Sequence, residues 1–138
     1  MTTNRKLFRM RHEPCKGTCY TPAEVLNLDR FTAGEALAIV TAAQRVHDQI
    51  CGDARFGVGV DMDEARGLLI GHVVSPAGVE TIVGPVGAAL VLEVLAVAAE
   101  RIADHPPTPD LAACDHGSEG NFVAFWREHG GSAMATAV

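Results

Sequence analysis

Three observations predict an α+β domain: an antiparallel three- to four-stranded meander packed against two long helices, with short flanking helices. Residues 56–62 alternate with the period of a strand, and two further strand-like runs, 68–74 and 79–83, follow across two short turns. On either side, two longer stretches repeat their apolar residues at three- and four-residue spacing, as helices do. The turns are too short for parallel crossovers, so neighbouring strands must run antiparallel.

The elements follow in order. Lys6-Leu7-Phe8-Arg9-Met10-Arg11-His12 reads as a short strand, with Phe8 and Met10 on one face and Arg9 and Arg11 on the other. Pro14 and Gly17 then break the chain into a turn bearing Cys15 and Cys19. Thr21-Pro22-Ala23-Glu24 is a helix start with a capping Thr, Pro at the first helical position and a closing Glu, and it predicts a short helix to Leu28. Thr32-Ala33-Gly34-Glu35 repeats that signal and opens a long amphipathic helix to about Ile50, where Gly52 can supply the stop. Its core stripe is expected to be Leu37, Val40, Ala43, Val46 and Ile50.

Phe56, Val58, Val60 and Met62 then alternate with Gly57, Gly59 and Asp61 as a half-buried strand would. A turn over 63–67 leads to a strand from Leu68 to Val74, and Ser75-Pro76-Ala77-Gly78 turns the chain into a third, Val79 to Val83. Pro85 is expected to open the second long helix, reaching Asp104, with Glu93, Glu100 and Asp104 forming its narrow polar stripe. His105-Pro106-Pro107-Thr108-Pro109 reads as a stiff extended connector. Ser118 can cap a last short helix, 119–128, whose Phe122, Phe125 and Trp126 should dock on the body. Residues 1–129 are expected to form one domain, in which 1–16 is a basic N-terminal arm or edge strand, and 130–138 a flexible tail.

The chain has 138 residues, 48% hydrophobic and 20% charged, a globular composition that needs neither disulfide nor metal to fold. Aromatics make up only 5%, so the core must be built from Ala, Val, Leu and Ile. The net charge of −6 is uneven: residues 1–16 hold five bases and one acid, a balance of +4, and the remainder six Arg and 16 acids, a balance of −10. An acidic body excludes a broad phosphate-binding face and confines nucleic-acid contact to residues 5–16. No apolar run follows the basic N-terminus, and the longest apolar stretch, 84–99, contains Glu93 and is too short to span a bilayer. The expectation is a soluble cytoplasmic protein that makes no membrane contact and keeps its four cysteines out of disulfides.

The most suggestive chemical cluster is His12-x-x-Cys15-x-x-x-Cys19, with Cys114-x-His116 far downstream. Thiolates and imidazoles suit Zn²⁺, and two ligands from each end of a chain can tie a fold. His12, Cys15, Cys19, Cys114 and His116 are therefore the candidate metal ligands, with Glu13, Asp115 and Glu119 as acids for a catalytic version of the site. The competing account places the two cysteine-bearing pieces in separate turns. Asp61, Asp63 and Glu64 are expected to form a solvated turn, His47 a surface helix residue, His72 a hydrogen-bonded sheet residue and Cys51 a small core residue. Gly57 to Asp63 leads into a second strand rather than a helix, which excludes a dinucleotide fingerprint. No nucleophile elbow and no phosphate loop is present.

No dense set of catalytic residue types at a mechanistic spacing emerges. The expected function is a small non-enzymatic binding or regulatory accessory protein that self-associates as a homodimer, through the apolar helix 85–104 or a sheet edge. The alternative is a zinc-dependent enzyme or zinc-stabilised domain, and a further alternative is nucleic-acid contact through the basic N-terminal stretch.

Overall fold

The computed structural model describes residues 5–13, 18–20, 31–50 and 53–108, with side-chain surroundings for 31–50 and 53–108. The expected short helices over 21–28 and 119–128, the tail 130–138, Cys15, Cys51, Cys114 and His116 lie outside the described residues. The described chain is α+β. Strands β1 (Arg5–Glu13), β2 (Thr18–Tyr20), β3 (Gly57–Asp63), β4 (Leu68–Ser75) and β5 (Gly78–Pro85) join helices α1 (Ala33–Ile50) and α2 (Ala88–Asp104). All strand pairs are antiparallel, in the order β2-β1-β3-β4-β5.

The expected meander is β3-β4-β5. The sheet is wider than three or four strands because β1 pairs along β3 and β2 adds to the far side of β1. Thr18-Cys19-Tyr20, read from sequence as part of a turn, is a strand of three residues. The expected arm or edge, 1–16, contains β1, which lies inside the sheet between β2 and β3.

Helix α1 begins on a reciprocal capping box. The Glu35 N–H donates to Thr32 Oγ1 at 3.1 Å, and the Thr32 N–H donates to Glu35 Oε1 at 2.9 Å. Its buried residues are Ala36, Ile39, Val40, Ala43, Val46, His47 and Ile50. Two expectations are corrected here. Leu37 is 38% exposed, one position off the stripe, and His47 is only 1% exposed. Helical spacing from Ala36 through Val40 and Ala43 carries position 47 inward whatever its polarity. The His47 Nδ1 lies 3.3 Å from Asp48 Oδ1.

Helix α2 starts at Ala88 rather than Pro85, which ends β5 opposite Leu68. Proline is tolerated at a strand end whose N–H faces away from the neighbouring strand. Glu93, Glu100 and Asp104 are exposed as expected, and Ala89, Ala96, Ala99 and Ala103 are exposed with them. The helix carries an apolar excess because its solvent face is alanine, while Leu90, Val91, Val94, Leu95, Ala98 and Ile102 are buried. It crosses the sheet closely. A Cβ at Gly71 on β4 would collide with the Val94 side chain, and one at Gly84 on β5 would meet Leu90 Cδ2 at 2.8 Å. Glycine at these two places lets the helix reach the strands.

Both helices share one core with the inner face of the sheet. It joins Ile39, Val40, Ala43 and Val46 to Val91, Val94 and Leu95, and these to Val58, Val60, Met62, Leu69 and Val73. Each such side chain contributes roughly 1.5–3 kcal/mol on full burial, so this layer carries most of the stability.

A second tie closes the ends of the core. Asp53, buried between α1 and β3, accepts from the Arg55 side chain at 3.0 and 2.8 Å, and from the backbone N–H of Thr108 at 3.0 Å. The Arg55 guanidinium, aided by the N–H groups of Thr108 and Arg55, outweighs burial and holds the Asp53 carboxyl far below the usual carboxylate range.

Candidate functional site

Residues directly opposite in an antiparallel pair share a face. The register therefore assigns Val58, Val60 and Met62 of β3, Leu69, Gly71 and Val73 of β4, and Glu80, Ile82 and Gly84 of β5 to the inner face. The outer face runs in rows: Gly57–Val74–Val79, Gly59–His72–Thr81 and Asp61–Ile70–Val83. On β1, the Cα positions of Arg11, Arg9 and Lys6 continue those rows, opposite Gly57, Gly59 and Asp61.

This outer face carries four branched apolar residues, Ile70, Val74, Val79 and Val83, beside Asp61, His72 and Thr81. Ile70 and Val74 are half-buried, while Val79 is 70% exposed and Val83 55% exposed. No described helix covers it. The polar groups in its middle row satisfy each other weakly, with Thr81 Oγ1 3.4 Å from His72 Nδ1. That contact agrees with the hydrogen-bonded role expected of His72.

The same rows end at β5, which no other described strand pairs on the side away from β4. The Pro76–Ala77 turn pairs Ser75 with Gly78, which adopts a φ of +119°, and the Val86 N–H donates to the Gly67 carbonyl at 3.2 Å. Counting along the ladder between these points, the even-numbered residues of β5 hydrogen-bond to β4. The N–H and C=O groups of Val79, Thr81 and Val83 then point away from the sheet. On the inner side Glu80 is held by Arg101 of α2 through hydrogen bonds of 2.6 and 3.0 Å, which lower its carboxyl pKa. The edge thus offers backbone donors and acceptors flanked by apolar side chains, and its one carboxylate is already paired.

Of the candidate metal ligands, His12 lies in β1 and Cys19 in β2. The register passes from Met10–Tyr20 to Glu13–Thr18 through an irregularity, so the Cys19 backbone lies across from Arg11 and His12. Among the described residues no group of three or more His, Cys, Asp or Glu is arranged to hold a metal ion. Asp61 and Asp63 do not form a joint site. Asp63 is buried and accepts from the Arg66 N–H at 3.3 Å, within its own turn. Ser75 serves its turn as expected, its Oγ accepting from the Ala77 N–H at 3.1 Å. No described helix is long and apolar enough to cross a membrane.

Comparison with protein-family models, curated proteins and solved structures finds no match to this chain.

Proposed function

We propose that this chain is a small non-enzymatic accessory protein of the cytoplasm, which binds protein and self-associates through its sheet rather than through its apolar helix. The observation that carries this reading is the outer face with no described helix over it, beside a β5 edge that no described strand pairs. An apolar, β-branched face beside a free edge is a surface that proteins otherwise blunt with charge or proline. The helix is the weaker seam because Leu95 is in the monomer core and Leu92 packs against it, leaving alanines outside. Nucleic-acid contact through residues 5–16 is weakened by β1 being a strand of the sheet, paired with β3, rather than a free arm.

The zinc reading has one observation in its favour. The β1–β2 pairing sets the backbones of His12 and Cys19 on adjacent strands, with Cys15 in the segment between those strands. A structural zinc there would need a thiolate or imidazole from the far end of the chain, such as Cys114 or His116.

Native mass spectrometry of reduced protein, purified without chelator, separates these readings. A metal-free dimer is the expected result. A monomer at every concentration would end the self-association reading, and one zinc per chain would favour the second.

A further inference from the structure

We infer that the occupant of the β5 edge is a second copy of this chain, paired antiparallel about a twofold axis at Thr81. The inference rests on the self-association reading and specifies its geometry.

An edge of outward N–H and C=O groups is satisfied most completely by another strand. On β5 those groups belong to Val79, Thr81 and Val83, and their side chains all lie on the outer face. A second β5 fits in more than one register, and the residues choose between them. With the axis at Thr81, Val79 faces the partner's Val83 and Thr81 faces the partner's Thr81. Every outward backbone group of the three residues then finds its complement, and the two most exposed valines cover each other across the seam. Shifting the axis to Glu80 would set that carboxylate against the partner's Glu80, a like-charge pair. Shifting it to Ile82 would set Val79 against the partner's Pro85, which has no N–H to donate. At Thr81, Glu80 instead faces the partner's Ile82, and Arg101 already neutralises it from the inner side.

Charge also distinguishes this occupant. Each copy carries −6, and no charged group of β5 opposes its like at this register. Association should therefore strengthen with added salt, as long-range repulsion is screened. A nucleic-acid or basic-peptide occupant would show the opposite dependence.

The test is a charge-swap series followed by sedimentation and native mass spectrometry. Val79→Lys and Val83→Glu, each alone, place an unpaired charge in the seam and should weaken the dimer by roughly 30-fold or more. Combining the two substitutions sets the new ammonium at position 79 against the new carboxylate at position 83 of the other copy, at this register only. The double variant should return to within about 5-fold of the parent. A parent dimer whose double variant is no tighter than the single ones overturns the register while leaving self-association standing. A parent that stays monomeric overturns both. If its outer face also resists solvent labelling, residues 109–138 become the occupant.

Amide hydrogen exchange of the parent needs no variant to fold. The N–H groups of Val79, Thr81 and Val83 should be slow when concentrated and fast when dilute, while those of Glu80 and Ile82 stay slow in both. Equal behaviour of the two sets overturns the proposal.

Discussion

The two faces of the β3-β4-β5 meander both carry branched apolar residues and meet different surroundings. Inward, Val58, Val60, Leu69 and Val73 are sealed under two helices. Outward, Ile70, Val74, Val79 and Val83 are also branched and apolar, and no described helix lies over them. An edge strand facing water on one side should alternate apolar and polar along its length. β5 does not: valine faces out at 79 and 83, while the charge at 80 faces in and is tied to the helix. Burial alternates along β4 while polarity does not, so branched apolar residues lie on the side that no described helix covers.

The largest effect should come from the inner face. Gly71→Val forces a branched side chain into Val94 and should cost about 3 kcal/mol or more, read from the midpoint of denaturant unfolding. Adding Val94→Ala should recover part of that loss, because the two positions share one contact. A Gly71→Val protein as stable as the parent would mean that α2 does not press on β4.

The middle effect lies where the inner layer is closed off. Asp53→Ala removes acceptors from the Arg55 side chain and from the Thr108 N–H, and should cost about 1–2 kcal/mol near neutral pH. The Asp53 carboxyl is depressed in the folded state. Its stabilisation is complete above the ordinary carboxylate pKa of about 4 and fades as the pH drops toward its lower folded value. The gap between parent and variant should therefore shrink in acid, and a gap that widens would contradict the ion pair.

The smallest effect sharpens the comparison most. Val83→Ser, measured in dilute protein where monomer prevails, should change stability by no more than about 0.5 kcal/mol. A loss on the scale of a buried valine would show that the outer face is already packed within one chain.

Much of this architecture was legible in the residues themselves. Thr32 and Glu35 announce the α1 start because a capping box is local chemistry, and the meander follows from turns spaced one strand apart. What failed to show were features settled by distant partners. Thr18-Cys19-Tyr20 is a strand only because β1 lies alongside it, and three residues carry no period of their own. Pro85 resembles a helix opener, yet its place across from Leu68 is set by the β4 ladder. His47 followed the helical period inward against its own polarity.

The candidate face did leave a signal. The stretches 68–74 and 79–83 are rich in branched apolar residues at successive positions, not only at alternate ones. Which side of that excess would go uncovered depended on where Val94 and Leu90 found glycine, and a one-dimensional pattern does not record that. The proposed zinc ligands were legible as residue types, and the β1–β2 register adds that the backbones of His12 and Cys19 are neighbours across adjacent strands.

The hydrogen bond from Thr108 to Asp53 has a topological consequence. It joins residues 55 positions apart, so the excursion through the meander and α2 leaves and returns at one spot. That excursion is a closed loop stitched at its base, and β1 along β3 and α1 against α2 bind it to the rest of the described chain. Loss of that stitch would free the two ends of the loop at Asp53 and Thr108, while the strands within it kept their ladders.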